Sequence, residues 1–176
     1  SHYSNGDSIP YIQTNTNWAN LLYYDKAMCI YDNDSSNLDN YGALYNSTAA
    51  LAWGSVSTNP SGVQGACPIG WHLPSDEEWK ELEMSLGISS EEVDSTGWRG
   101  SNQGSNLAGI DSLWTIGDLV NSSGFNLTGF NAVPAGYRDN SGNFFTKGYN
   151  THYWSTTQYN GYNSWTRKIK YNSSTI

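Results

Sequence analysis

The chain has 176 residues, which suffices for one globular domain with a sizeable core, and 14% of its residues are aromatic while only 14% are charged. The formal net charge of -8 and the lack of any Lys/Arg cluster exclude nucleic acid as a partner, because a phosphate backbone would be repelled. No apolar run approaches the roughly 18 residues that a membrane span needs, so the sequence predicts no membrane insertion.

The first third of the chain predicts short strands between polar loops. The turn pair Asn5-Gly6 before an apolar run indicates a hairpin or an edge strand near the N-terminus. The polar block at residues 32–40 predicts a surface loop. Apolar, β-favouring runs predict strands on either side of that block, at residues 21–24, 27–31 and 41–53.

The strongest helix signal in the sequence begins at Ser75. Its hydroxyl can accept a hydrogen bond from the Glu78 amide while the Glu78 carboxylate reaches back to the Ser75 amide, which forms a capping box. From Trp79 onward apolar residues recur on one helical face, and Gly87 is placed to end the helix. A second, shorter helix is predicted around residues 110–120.

From residue 125 onward the pattern changes to short aromatic segments between Gly and Asn residues. Such segments predict a small antiparallel sheet, because aromatic side chains favour strands and the intervening residues favour turns. The segments that predict strands are residues 129–138, 143–145, 152–157 and 164–171.

Two cysteines, Cys29 and Cys67, leave two alternatives open. A disulfide between them would stabilise the chain by about 3–4 kcal/mol on the loop-entropy model. The alternative is a pair of free, buried thiols, which is usual outside oxidising compartments.

Short motifs follow one another along most of the chain: NGDSIP at residues 5–10, CIYDND at 29–34, YGALYN at 41–46, CPIGWHLPSDEEW at 67–79, GFNAVPAGYR at 129–138 and YWSTT at 153–157. Their order and spacing resemble the Fibrobacter succinogenes major paralogous domain family. The resemblance implies an α+β fold of the C-type-lectin-like kind, related to the formylglycine-generating-enzyme type, with small twisted antiparallel sheets, one or two helices and long loops. In that fold Trp71 and Trp79 are expected to anchor the core.

The resemblance also implies that residues 1–176 form a single domain, without the final C-terminal strand and third cysteine of the family. A partner's strand is therefore one expectation for the sheet edge near Tyr171. Family members occur on surface proteins and lipoproteins of Bacteroidetes and Fibrobacteres, which implies an extracellular or outer-cell-surface location, as a lipoprotein or a secreted adhesin. Their attachment to carbohydrate-active proteins implies adhesion, with a glycan or a surface protein as the partner.

The sequence predicts no catalytic residues. His2, His72 and His152 are each isolated from any catalytic motif, and His72 is interpreted as a structural imidazole. The late cysteines of the formylglycine-generating relatives and the three-histidine set of the sulfoxide-forming iron relatives are both missing. Helix-dipole and solubility roles account for the carboxylates, which are Asp76, Glu77, Glu78, Glu81, Glu83, Glu91 and Glu92.

No cofactor is predicted apart from a structural calcium ion at the polar block. Asp32, Asp34 and Asp39 place oxygen ligands in a pattern that resembles a calcium loop, but the Gly and Glu of an EF-hand are missing. The alternative is a solvated turn rich in Asp and Asn. The short motifs with which calcium-dependent lectins hold sugars are also missing, which argues against sugar binding through a bridging calcium ion.

The segment from residue 149 to residue 171 has the composition of a binding surface. Flat aromatic rings can stack on sugars or on protein partners at low entropy cost, and Asn and Ser supply adaptable hydrogen bonds. We expect Tyr159, Asn160 and Tyr162 to be exposed, and Trp154 and Trp165 to be buried. The predicted ligand contacts are Tyr149, His152, Tyr153, Tyr159, Asn160, Tyr162 and Asn163, with Arg138 as a polar anchor.

These observations favour a non-catalytic cell-surface module that binds a glycan or a protein. One alternative is an assembly domain of a surface adhesin or filament, completed by a partner's strand. Another is a lectin-like receptor-binding protein diversified by a retroelement, since the tail is rich in Asn, Tyr, Ser and Thr. An enzyme is the third alternative, and the missing catalytic constellation weighs against it.

Overall fold

Short helices and small two-stranded sheets make up the computed structural model, which describes residues 2–161 and 163–176. This mixture of helices and small antiparallel sheets confirms the predicted α+β class. Within the described residues, no helix is long and apolar enough to cross a membrane.

The N-terminal part alternates short helices and strands. Strands β1 and β2 pair in antiparallel register, with Cys29 opposite Leu44. Single bridges add the pairs His2 with Ser8 and Tyr11 with Met28, where the sequence predicts a hairpin or an edge strand. The elements are α1 (Asn15–Ala19), β1 (Met28–Ile30), α2 (Leu38–Tyr41), β2 (Ala43–Tyr45) and α3 (Ser47–Leu51), with 3-10 turns at Tyr31–Asn33 and Ser35–Asn37.

Three predictions for this part are wrong in detail. The predicted loop at residues 32–40 is largely helical, and the predicted strand at residues 21–24 contains a turn instead. The predicted strand at residues 41–53 stops at β2 because Asn46 caps a helix: its side-chain oxygen accepts from the Ala49 amide at 2.9 Å. Local capping therefore overrides the alternating apolar pattern.

Helix α4 (Asp76–Ser85) confirms the predicted helix and its capping box. The Glu78 amide donates to the Ser75 hydroxyl at 3.2 Å, and the Ser75 amide donates to the Glu78 carboxylate at 2.9 Å. Gly87 follows the helix with φ +96°, which a residue with a side chain rarely adopts. The second predicted helix is replaced by α5 (Gln103–Leu107), a 3-10 turn at Asp111–Leu113 and α6 (Asp118–Asn121).

Three of the four segments that predict strands in the C-terminal part, residues 143–145, 152–157 and 164–171, overlap strands of the structure. The prediction for residues 129–138 is wrong for most of its length, because within it a strand forms only at Tyr137–Arg138. Strand β3 (Tyr137–Arg138) pairs with β4 (Phe144–Phe145), and the longer β5 (Asn150–Asn160) pairs with β6 (Asn163–Lys170). The β5–β6 hairpin carries most of the residues that the sequence predicts as ligand contacts.

The chain divides into two compact units. The first unit comprises Ser1–Trp79, Arg138–Phe145 and Trp154–Thr166, and the second comprises Lys80–Tyr137, Thr146–Tyr153 and Arg167–Ile176. The first unit has two buried clusters, one with Tyr3, Ile9, Met28 and Ala49 and the other with Trp18, Ala27 and Cys29. The core of the second unit is formed by Ile88, Val93, Leu107, Ala108, Trp114, Leu119, Ala132, Ile169 and Ile176.

The two tryptophans that are expected in the core have different environments. Trp79 is 5% exposed, as expected, and its indole N–H donates to the Trp154 carbonyl at 3.4 Å. Trp71 is 72% exposed, so the expectation for this residue is wrong. Its backbone closes a tight turn onto the Pro68 carbonyl, with Gly70 at φ +87°, and the indole is left in solvent.

The two cysteines are not bonded to each other, which corrects the predicted disulfide in favour of free thiols. Cys29 lies on β1 among Trp18 and Ala27, while Cys67 lies in a turn whose amide donates to the Gln64 carbonyl. Burial raises the pKa of the Cys29 thiol to about 11, although the neighbouring Arg138 opposes the shift. The Cys29 thiol is therefore protonated and a poor nucleophile at neutral pH.

Candidate ligand-binding groove

A groove of about 130 Å³ opens on the surface of the first unit. It lies between the turn that carries Tyr23, the end of helix α3, and the β5–β6 hairpin. Its lining consists of Tyr23, Ser47, Thr48, Leu51, Trp53, Ser55, Gln158, Gly161 and Ser164. Aromatic rings and small polar groups thus share one concave surface.

Two exposed aromatic side chains form the walls of the groove. Tyr23 is 73% exposed and Trp53 is 58% exposed, although rings of this size are usually kept out of water. Trp53 has φ +72° and follows Ala52 at φ +49°, so two consecutive residues with side chains have left-handed backbones. Such a conformation costs about 1–3 kcal/mol per residue and is found mainly at functional sites.

The backbone of the Tyr23 wall is fixed by hydrogen bonds. The Thr48 hydroxyl of helix α3 donates to the Tyr23 carbonyl at 2.8 Å. The Leu22 amide donates to the Asp25 carboxylate at 2.8 Å, and the Asn46 side chain donates to the Asp25 carbonyl at 2.7 Å. The turn is therefore held in place from both sides, and the wall is preorganised.

The opposite wall is fixed against strand β5. The Val56 amide donates to the Thr156 carbonyl at 3.2 Å, and the Thr156 hydroxyl donates back to the Val56 carbonyl at 2.9 Å. The Ser55 hydroxyl also donates to the Thr156 carbonyl, at 3.2 Å. These bonds hold the segment after Trp53 beside the strand that supplies Gln158 to the groove.

The end of the hairpin carries three of the predicted ligand contacts, which are Tyr159, Asn160 and Asn163. Tyr159 is 66% exposed and packs edge-on against Trp165, with ring centroids 4.8 Å apart. The Asn160 side chain accepts from the backbone and side-chain N–H groups of Asn163 at 3.1 Å. The predicted exposure of Tyr159 and Asn160 is confirmed, and Tyr162 lies outside the described residues. Trp154 and Trp165 are half-buried rather than buried.

Tyr149, His152 and Tyr153 belong to the second unit, so the predicted ligand contacts are divided between the two units. Tyr149 is exposed and packs edge-on against Tyr171. Tyr153 packs against Phe130, and burial raises the pKa of its hydroxyl. These contacts are explained by packing inside the second unit.

His152 is a half-buried residue of the second unit that the sequence predicts as a ligand contact. Its Nε2 atom is buried and has no hydrogen-bond partner within the described residues, and its ring packs edge-on against Tyr137. Burial lowers the pKa of the imidazole to about 4, and the positive charge of Lys168 lowers it further. The imidazole is therefore neutral at physiological pH.

We predict that His152→Gln weakens the pH dependence of stability. The imidazole is protonated near pH 6.5 in the unfolded chain but only near pH 4 in the folded chain. The neutral His152 therefore stabilises the folded chain fully above pH 6.5, and this stabilisation is lost as the pH falls toward 4. The free energy of unfolding, measured in urea between about pH 7 and pH 5, should fall less steeply in the variant than in the wild type. The exposed His2→Gln is the matched control, and equal slopes in all three proteins would contradict the assignment.

Arg138 is not a free polar anchor, which corrects the prediction made for it. Its guanidinium lies 4.5 Å from the ring centres of Trp18 and Phe144, between β3 and the N-terminal segment. All three guanidinium nitrogens donate inside the first unit. At 2.7–3.2 Å the acceptors are the carbonyls of Ile12, Gln13 and Gly142 and the side-chain oxygen of Asn15.

The three aspartates of the predicted calcium loop do not converge. Within residues 2–161 and 163–176, no group of three His, Cys, Asp or Glu side chains is arranged to hold a metal ion. The Asp34 carboxylate accepts from the Ser36 amide at 2.9 Å and caps a 3-10 turn, Asp32 has φ +54°, and Asp39 lies in α2. The Asp- and Asn-rich turn, the alternative to a calcium loop, describes this block better.

Two further predictions concern charged side chains of the helix region. The His72 Nε2–H donates to the Glu78 carboxylate at 2.6 Å, which confirms its interpretation as a structural imidazole. Glu83 does not serve solubility, because it is fully buried and forms ion pairs with Arg99 and Arg167. For Glu83 the prediction is therefore wrong.

Tyr23 and Trp53 were not predicted as candidate site residues from the sequence. The sequence pattern predicts that Tyr23 lies in a strand at residues 21–24 and that Trp53 ends a strand at residues 41–53. A weak signal was available, since Trp53 stands between an alanine and Gly54 at the start of a polar connection rich in Ser and Gly. A large ring beside small residues in a loop has few partners that could bury it.

Fold and groove together define a small α+β domain with an open, aromatic-walled groove. Residues 1–175 match the Fibrobacter succinogenes major domain, and the chain therefore belongs to this family, as its motifs predicted. No curated protein and no solved structure matched the chain. The C-type-lectin-like fold stays a prediction.

Proposed function

We propose that the chain is a non-catalytic binding module of the cell exterior, and that its ligand enters the groove between Tyr23 and Trp53. The observation that carries this proposal is the exposed Trp53 ring, held over the groove by a left-handed backbone. A strained, exposed tryptophan brings no benefit to the folded chain alone. Contact with a ligand would remove the ring from water and offset the strain.

The composition of the groove supports binding rather than catalysis. Among the residues that the structure describes, its lining contains no carboxylate, imidazole, thiol or amine that could act as acid, base or nucleophile. Its volume of about 130 Å³ is below the roughly 300–1,000 Å³ of pockets for drug-sized ligands. The groove therefore suits one small ring or one end of a larger, surface-attached ligand.

We predict that removing both aromatic walls abolishes small-molecule binding. The wild type, a Tyr23→Ala/Trp53→Ala double variant and Trp71→Ala are screened by saturation-transfer NMR against one library of neutral sugars, sugar acids, amino-acid amides and short peptides. Trp71 is the matched control because its indole is similarly exposed in the same unit but does not line the groove. Compounds that bind the wild type should also bind Trp71→Ala, and the double variant should bind none of them. Retention of the same compounds by the double variant would contradict the proposal.

A further inference from the structure

We infer that the ligand of the groove is a neutral saccharide and that it is recognised without a metal ion. This inference rests on the proposed function, because it names the ligand class for the same groove. It follows from three properties of the lining: its lack of charge, the orientation of its hydroxyl groups, and its aromatic walls.

The described residues of the lining carry no charged side chain, in a protein with 16 acidic and 8 basic residues. A charged ligand that loses water in such a groove would find no opposite charge to compensate it, which is unfavourable. Sugar acids, amino sugars and charged peptides are therefore disfavoured. Bridging by calcium is disfavoured too, because an ion between protein and sugar needs carboxylate ligands, and the described residues of the lining supply none.

Two hydroxyl groups of the lining are oriented as acceptors. The Thr48 hydroxyl donates its proton to the Tyr23 carbonyl at 2.8 Å, and the Ser55 hydroxyl donates its proton to the Thr156 carbonyl at 3.2 Å. Each oxygen therefore has lone pairs left for a donor from the ligand. Sugar hydroxyls supply such donors around the whole edge of a ring.

Gln158 complements these acceptors. It is exposed at the groove, and its side-chain carboxamide makes no hydrogen bond to any residue that the structure describes. Its carboxamide can donate and accept at once, which matches a pair of neighbouring sugar hydroxyls. A bidentate contact of this kind distinguishes a polyhydroxylated ring from an apolar one.

The aromatic walls account for the remaining surface of a sugar ring. The faces of a pyranose consist of C–H groups, which pack on the flat rings of Tyr23 and Trp53, while its edge of hydroxyls meets the polar lining. A peptide that adds a strand would need a free sheet edge, and one that inserts a bulky aliphatic side chain would need an apolar pocket. Among the described residues of the lining, Leu51 alone has an aliphatic side chain of that size, so the groove offers little for such a peptide.

Isothermal titration of the whole chain tests this inference. The probes are neutral tetrasaccharides of glucose, mannose and xylose, a tetragalacturonate and an uncharged tetrapeptide, each titrated with and without EDTA. At least one neutral tetrasaccharide should bind with the same Kd in EDTA. Trp53→Ala should raise that Kd at least about tenfold, Gln158→Ala should raise it several-fold, and Trp71→Ala should leave it unchanged.

The outcomes separate the ligand class from the site. Binding of the tetragalacturonate or the peptide alone, lost in Trp53→Ala, would overturn the inference of a neutral saccharide and leave the proposed groove standing. Loss of saccharide binding in EDTA would overturn metal-free recognition. Saccharide binding that neither Trp53→Ala nor the exposed Gln158→Ala weakens would overturn both the inference and the proposed site. Binding of no probe would overturn the inference.

Discussion

Replacement of Glu83 by Gln is expected to lower the free energy of unfolding by about 3–5 kcal/mol. The Glu83 side chain is fully buried and accepts from the Arg99 guanidinium at 2.8 and 2.9 Å and from the Arg167 guanidinium. Both arginine side chains are themselves buried, at 9% and 5% exposure. A neutral amide would remove the buried negative charge that both guanidinium groups face, and removing one partner of a buried ion pair is strongly destabilising.

Urea unfolding followed by tryptophan fluorescence measures the effect of Glu83→Gln. Glu91→Gln is the matched control, because Glu91 is exposed and the same chemical change there should alter the free energy of unfolding by less than about 0.5 kcal/mol. A loss below about 1 kcal/mol for Glu83→Gln would contradict the account of this network.

Arg138→Lys is expected to lower the free energy of unfolding by at least about 2 kcal/mol. The guanidinium donates to four oxygen atoms from different segments of the first unit and lies between the rings of Trp18 and Phe144. A lysine keeps the charge but cannot reproduce the planar fork of donors, so the partly buried carbonyl groups of Ile12 and Gly142 would lose their partners.

A comparison of Arg138→Lys with Arg138→Ala separates charge from geometry. If the fork of donors matters, both variants should be destabilised, by similar amounts. Full stability of the lysine variant would show that charge alone suffices.

The helix α4 and the β5–β6 hairpin could be predicted from the sequence because their signals are local. The Ser75–Glu78 capping box and the apolar spacing after it depend only on neighbours along the chain. The aromatic, β-favouring segments of the hairpin are similarly self-contained. Exposure at the hairpin end followed from the Asn and Gly residues around Tyr159.

The groove could not be predicted because it depends on contacts between distant residues. Tyr23 and Trp53 line the same groove although they are 30 residues apart, and the Thr48 hydroxyl of helix α3 holds the Tyr23 carbonyl beside the segment that leads to Trp53. The left-handed backbone of Trp53 leaves no signature in residue type, since bulky residues rarely adopt it. The exposure of Trp71 could not be predicted for a related reason, because it depends on how the turn at Gly70 directs the chain.

The role of Arg138 also could not be predicted from the sequence. An arginine at the end of an aromatic segment has the composition of a ligand anchor, and its acceptors lie more than 100 residues earlier in the chain, at Ile12 and Gln13. Once those carbonyls occupy the guanidinium, little donor capacity is left for a ligand. We therefore propose the aromatic groove, and not Arg138, as the place where the ligand binds.

Chemical-shift mapping tests the central claim most directly. The ¹⁵N-labelled chain is titrated with the compound that binds tightest in the screens, and amide shifts are followed residue by residue. The account predicts that the largest shifts fall at residues 22–24, 47–56 and 157–164, around the groove. Largest shifts at residues 67–73 around Trp71, or within residues 80–137 of the second unit, would contradict it.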